Sequence, residues 1–319
     1  MSSDGPRYAV VVPVYRNEVT LPALVERLEG LAAELGARLE VVFVVDGSPD
    51  GSLVLLRRLL AEQTSFSAQL IALSRNFGSF SAIRAGLAAA EGELVAVMAA
   101  DLQEPVSLAG EFFDSLDTGD YDIAVGVRSS RADGRGSQTA ARAFWWLYRH
   151  LVQREIPPGG VDVFACTRQV AGELIRMDES HTSLVGLLYW VGFRRAEVPY
   201  DRLPRPEGTS AWSFRRKARY LLDSIFSFTD LPITLIIALG AIGVAVSTVA
   251  GLAVLVAWAT DQIDVAGYTP LILSVFFMTS LILISLGVVG SYVWRTYENS
   301  KRRPGSVTMK HERFGGGGG

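Results

Sequence analysis

Residues 39–52 read Leu39-Glu40-Val41-Val42-Phe43-Val44-Val45-Asp46-Gly47-Ser48-Pro49-Asp50-Gly51-Ser52. A nearly unbroken apolar run stops at an Asp-Gly pair, and a helical stretch, Leu53–Glu62, follows. A sheet with one wet face alternates polar and apolar residues, so an unbroken run marks a strand covered on both faces. The same unit recurs outward. Upstream, Tyr8–Val14 is a strand with Pro13 near its end, and Leu21–Leu35 is a helix that Thr20 can cap and Gly36 can stop. Downstream, Gln69–Ser74, Leu94–Met98 and Tyr121–Val127 read as strands, separated by helices over Ser79–Glu91 and Val106–Leu116. This alternation predicts an α/β fold with a mostly parallel sheet. Ligands bind such sheets at the carboxyl ends of the strands, so the loops after Val14, Val45, Met98 and Val127 are the candidate site.

Composition changes beyond residue 230. Ile233–Ala259 and Tyr268–Trp294 are each 27 residues without a charged side chain. As helices they would be roughly 40 Å long, enough to cross a bilayer with some tilt. Arg215, Arg216, Lys217 and Arg219 precede the first run. Arg295, Lys301, Arg302, Arg303, Lys310 and Arg313 follow the second, while the connecting loop has Asp261 and Asp264 and no Lys or Arg. The excess of positive residues places both ends in the cytoplasm. No signal peptide is evident at the N-terminus, and Gly315–Gly319 reads as a linker remnant.

Thirty basic and 33 acidic residues give a net charge of -3, which argues against an overall basic nucleic-acid binder. One cysteine, Cys166, excludes an internal disulfide and a cysteine-based zinc cluster. His150, His181 and His311 are too far apart for a helical zinc motif. Residues 134–136 lack the setting of a dinucleotide site, and no Gly-Lys-Ser/Thr P-loop occurs. The aromatic-rich stretch Ala143–Arg149 fits either a membrane interface or a core helix.

Two loops carry candidate chemistry. Asp46 stands at the end of its strand, where a carboxylate can meet a base or ribose, although an ordinary Asp-Gly turn reads the same. Asp101 and Gln103, two residues apart, could offer oxygens to one hard cation that also binds phosphate. The same stretch also fits a helix start, with Asp101 as cap and Pro105 in the first turn.

Taken together, Val11-Val12-Pro13-Val14-Tyr15, Val45-Asp46-Gly47-Ser48-Pro49-Asp50-Gly51 and Ala100-Asp101-Leu102-Gln103-Glu104-Pro105 resemble the family-2 glycosyltransferases, and more closely the polyprenyl-phosphate glycosyltransferases. Further matches are residues 74–78, Gly126-Val127-Arg128, residues 159–164 and residues 208–212. The resemblance covers nearly the whole chain. It implies a GT-A, Rossmann-like catalytic domain followed by two transmembrane helices. The expected division is a catalytic domain over 1–212, an amphipathic juxtamembrane helix over 213–230, the two spans over 231–295 and a basic tail over 296–319.

The resemblance also implies site roles. Pro13, Tyr15, Asp46 and, less directly, Glu18 match nucleotide-holding positions. Asp101 and Gln103 match ligands for Mg²⁺ or Mn²⁺, Arg128 a residue near the diphosphate, and Asp162 an acidic position facing the acceptor. Val45 and Ala99 stand where many members carry aspartate, and Ala211 where many carry lysine. The implied reaction is inverting transfer of one sugar from a nucleotide-diphosphate sugar to a polyprenyl phosphate at the cytoplasmic face of the plasma membrane. The alternative is a catalytically silent nucleotide-sugar binding or scaffold protein anchored in the membrane. The expected partners are the donor, the lipid phosphate and the membrane, with no nucleic acid; homo-oligomerisation is left open.

Overall fold

β2 (Leu39–Val45) is buried along its whole length, as its nearly unbroken apolar run predicts, with Glu40 the one charged residue in it. This is seen in a computed structural model that describes residues 6–36, 38–130, 148–150, 155–157, 160–177, 183–203, 214–229, 231–260 and 268–315. β1 (Tyr8–Val14), β3 (Ser67–Leu73) and β4 (Leu94–Val97) run parallel with β2. The helices between them are α1 (Leu21–Leu35), α2 (Ser52–Glu62) and α3 (Ser79–Ala89). α4 (Ser107–Asp117) leads to β5 (Ile123–Ser130). β6 (Phe164–Thr167), α5 (Arg168–Arg176), α6 (Leu184–Trp190) and β7 (Arg195–Asp201) follow.

With β8 (Thr308–Phe314), the strands among the described residues lie in the order β7-β5-β6-β4-β1-β2-β3-β8. β6 is antiparallel to both β4 and β5, while β7 is parallel to β5. The core lies between β1–β4 and the helices beside them, with Val10, Val12, Phe43, Leu24, Leu28, Phe112 and Phe113 almost wholly buried.

Two expectations need correction. Thr20 lies at the N-terminus of α1 but makes no side-chain cap; its hydroxyl donates to Ala100 O at 2.7 Å. Asp101 does not cap a helix either, because α4 begins at Ser107.

The end of the chain also differs from a plain tail. The last strand of the sheet is β8 (Thr308–Phe314), paired antiparallel with β3. Its side chains reinforce the ladder. Arg57 makes two 2.7 Å bonds to Glu312, and Arg313 pairs with Glu91. His311 Nε2 lies 2.6 Å from Gln69 Oε1, and Gln69 in turn donates to buried Glu40. β8 covers an edge that would otherwise present unpaired amides and carbonyls.

By its contacts the chain forms two compact units. One comprises Met1–Ala218 with Pro304–Gly319, the other Arg219–Arg303. α7 (Phe214–Phe228) crosses this boundary, and the second unit holds α8 (Leu231–Ala259) and α9 (Tyr268–Ser300). Leu231–Ala250 and Phe277–Ser300 are long and apolar enough to cross a membrane. Ile237, Val249, Leu271 and Leu283 are each about two-thirds exposed, a pattern that water would disfavour. α7 and α9 are tied by a 2.7 Å bond from Arg295 to Asp223 and by edge-on contact of Phe226 with Tyr292. The side chains of Arg215, Arg216, Lys217 and Arg219, the stretches 134–136, 143–147 and 208–212, and Asp261 and Asp264 lie outside the described residues.

Candidate active site

Strand order locates the site. From β1 the chain winds through β2 to β3 on one side, then adds β4 on the other side of β1. A crevice opens at such a switch point, outside the carboxyl ends of the two strands. Here it is bounded by the loop after Val14 and the loop after Val97, and the Thr20 hydroxyl bond to Ala100 O joins them. Each loop holds one non-glycine residue in the left-handed region, Arg16 at φ 58° and Leu102 at φ 58°. Such residues cost about 1–3 kcal/mol each and persist where the surroundings over-determine them. They directly follow Tyr15 and Asp101, two of the residues singled out from sequence.

The first two loops are laced together. Arg16 N donates to Ser48 Oγ at 2.8 Å, and Ser48 Oγ donates to Asp50 Oδ1 at 2.6 Å. Glu18 accepts from Gly51 N at 2.8 Å, at the N-terminus of α2, where the helix dipole favours an anion. Burial alone would raise the Asp50 carboxyl, but bonds from Ser48, Ser52 and the Glu18 amide outweigh it and hold Asp50 below the usual range. Asp46 is 2% exposed and accepts from Phe77 N at 2.7 Å and Gly78 N at 2.9 Å. It thereby fixes the loop after β3. Gly47 is required there: at φ 56°, a Cβ would lie 2.3 Å from the Arg75 carbonyl carbon. Pro13 is half-buried in β1, and Tyr15 presents an exposed ring with the Arg16 guanidinium 5.5 Å from its centre.

The other half is a polar cluster around β4, β5, β6 and β7. Asp101 is half-buried and accepts from Gln103 N at 3.3 Å. Gln103 Oε1 accepts from the Arg202 guanidinium, and Leu203 N donates to Gln103 O at 2.8 Å. Arg202 Nε also lies 3.8 Å from Glu104, a carboxylate in a residue only 3% exposed. Burial, aided by the charge of Asp101, raises the Glu104 carboxyl, against the pull of Arg202 and Arg128. Arg128 and Asp162 form a close ion pair, and Tyr200 Oη donates to Asp162 at 3.5 Å. Arg128 and Tyr200 are register partners on β5 and β7. Gly126 makes room for this packing, since a Cβ there would lie 3.0 Å from the Tyr200 ring and 2.8 Å from Val163. Burial raises the Tyr200 phenol, opposed by its bond with Arg128.

The structure thus joins Arg128 to Asp162, and it brings Gln103 together with Arg202 rather than leaving it exposed beside Asp101. Sequence reasoning missed Arg202 and Tyr200, and quoted Glu104 without giving it a role. The only signal for Arg202 was an arginine after an apolar-polar run, which is common on any surface.

The donor set suits a hard divalent cation. Asp101 and Gln103 offer oxygen ligands, and Mg²⁺-type ions commonly take one or two protein oxygens plus substrate phosphates. Among the described residues no group of three or more His, Cys, Asp or Glu could hold a metal, so water or a donor diphosphate would complete the shell. Among the described residues Glu104 Oε2, Arg128 Nε and Arg202 Nε are buried without a hydrogen-bond partner, a set of polar atoms that a bound ligand could meet.

A model of glycosyl transferase family 2 matches residues 9–171, from β1 into α5. The chain belongs to glycosyltransferase family 2. As a member it is a glycosyltransferase, and its sheet is the GT-A arrangement. An uncharacterized glycosyltransferase of Synechocystis is 34% identical over 93% of this chain and 92% of its own length. A prophage bactoprenol glucosyl transferase homolog of Escherichia coli is 27% identical over 93% of this chain and 97% of its own. The bactoprenol glucosyl transferase of Shigella phage SfV is 27% identical over 96% and 99%. The family model ends before β7, so Tyr200 and Arg202 lie beyond it, whereas these relatives align over almost the whole chain.

Proposed function

We propose that this glycosyltransferase moves one sugar from a nucleotide-diphosphate sugar to a polyprenyl phosphate at the cytoplasmic face of the plasma membrane, with inversion at the anomeric carbon. The observation that carries this reading is the path of the chain. It leaves the catalytic unit, forms two helices long enough to cross a bilayer, and returns to place β8 beside β3 in the same sheet. Two crossings bring a chain back to the side it left, so the catalytic sheet is tied to both ends of one hairpin. The basic residues flanking that hairpin favour the cytoplasmic side. A soluble donor site fixed at a membrane suits an acceptor whose phosphate is at the bilayer surface, and the relatives named for bactoprenol glucosyl transfer support that acceptor class.

The residues divide the work. Tyr15 offers its exposed ring to the nucleotide beside Pro13, while Glu18 and Asp46 hold the loops that frame it. Asp101 and Gln103 would hold Mg²⁺ or Mn²⁺, which when bound supplies positive charge against the departing diphosphate. Arg128, aimed by Asp162, gives a guanidinium fork suited to phosphate oxygens. The acceptor phosphate, with a second pKa of about 6, is mostly ionised at neutral pH and attacks with little help from a base. Attack in line with the leaving diphosphate inverts the anomeric centre.

The test is a panel of nucleotide sugars offered to purified full-length protein with a polyprenyl phosphate. One donor should yield a lipid-linked monosaccharide whose NMR coupling shows the opposite anomer. Retained configuration would contradict inversion, and a sugar product that never partitions with lipid would contradict the acceptor.

A further inference from the structure

We propose that Arg202 is a positioning residue for the cation-binding loop, acting through Gln103. The inference rests on the reading of Asp101 and Gln103 as cation ligands. A guanidinium has five donors and no acceptor, so it can meet Gln103 only at the carbonyl oxygen. The bond from Arg202 to Gln103 Oε1 therefore decides which way the amide is turned. With that bond the oxygen is held at a defined position, and an amide oxygen can accept from a donor and also face a cation. Loss of that bond removes a restraint that keeps the NH₂ group, which repels a cation, turned away.

The backbone supports the same role. Leu203 N donates to Gln103 O at 2.8 Å, so the strand-end residues after β7 grip the β4 loop by main chain and side chain together. Glu104 explains how a positive group is tolerated beside a cation site. Its carboxylate lies 3.8 Å from Arg202 Nε in a nearly water-free position, and the pair adds little net charge. Arg202, Glu104 and Gln103 form one unit in which the arginine orients, the glutamate neutralises and the glutamine binds.

The experiment measures Mn²⁺ binding to the full-length protein in detergent, without any nucleotide, by loss of the free Mn²⁺ electron-spin resonance signal. Variants are Arg202→Met/Glu104→Gln, which removes the guanidinium without stranding a buried charge, and Gln103→Ala alone and combined with that pair. Partners behind a metal ligand commonly contribute about tenfold or more in affinity. The double variant should weaken Mn²⁺ binding by about that factor, and should add nothing once Gln103 is already alanine. Arg202→Lys keeps a donor-only cation beside Glu104 and should retain most of the affinity, whereas Arg202→Met alone should show the loss even if the double variant folds poorly. Wild-type affinity in a folded Arg202→Met or double variant would overturn the positioning role and leave the cation reading intact. An equal loss in the Gln103→Ala background would also overturn it, since Arg202 would then act by another route. Wild-type protein that binds no Mn²⁺, or binds it as well after Asp101→Ala, would sink the cation reading and this proposal with it.

Discussion

Asp46 and Gly47 show what single residues do in this site. The carboxylate holds two amides of the neighbouring loop, and the glycine passes so close to Arg75 that no methyl group fits. Gly47→Ala should therefore be among the most damaging small substitutions. The left-handed backbone alone costs roughly 1–3 kcal/mol, and the clash is with main chain that cannot rotate away. Thermal unfolding should show a clear fall, while the same change at exposed Gly30, where a Cβ meets nothing within 4 Å, should be nearly neutral or stabilising. Asp50 sets a pH dependence. Its carboxyl is held below its ordinary value of about 3.9, so the folded state binds its proton less readily than the unfolded chain. The contribution is present in full above that ordinary value and is lost as pH falls through the lower folded value. Asp50→Asn should reduce stability at neutral pH and narrow the gap to wild type in acid, as read from melting curves between about pH 3 and 7.

Among the elements, β8 is tied into the sheet by both its ladder and its side chains. It closes the β3 edge, and Arg57, Glu91 and Gln69 each bond to one of its side chains. Ending the chain at Arg303 should destabilise the catalytic unit by several kcal/mol, since each lost ladder bond counts for about 0.5–1.5 kcal/mol net. The bare edge should also promote association. Differential scanning calorimetry and light scattering on the two proteins check both effects; unchanged melting would mean that the ladder adds nothing. β8 was not legible in the sequence. Thr308–Phe314 is polar and charged along most of its length, so neither apolar alternation nor an unbroken run marks it, and its strand form comes from the partner edge. β1 and β2, by contrast, were readable to the residue because parallel strands covered on both faces are apolar along almost their whole length. β6 and β7 fall between. β6 is four residues long and β7 alternates only weakly, so no periodic signal separates them from loops. The site follows the same rule. Residues at the ends of legible strands, Asp46 and Asp101, could be picked out, whereas Arg202 depends on a strand that was not seen.

For the molecule as a whole, one sheet is interrupted by a long apolar hairpin. The first 218 residues and the last strand belong to one unit, and Arg219–Arg303 to the other. If α8 and α9 both cross the bilayer, their connecting loop must lie on the far side from the catalytic sheet. With Cys166 replaced by alanine, an Asp264→Cys site should react with an impermeant thiol reagent from outside the cell and stay protected in inside-out vesicles. The reverse pattern would overturn the orientation. The central claim is lipid-linked sugar transfer by the strand-end site. The most direct measurement is transfer of radiolabelled sugar into the organic phase by full-length protein in inside-out membrane vesicles, with and without added polyprenyl phosphate, for wild type and Asp101→Ala. Counts that rise with the lipid phosphate, need Mg²⁺ or Mn²⁺, and fall by about a hundredfold or more in Asp101→Ala are the expected result. Lipid-independent counts, or full transfer by Asp101→Ala in excess chelator, would contradict the account.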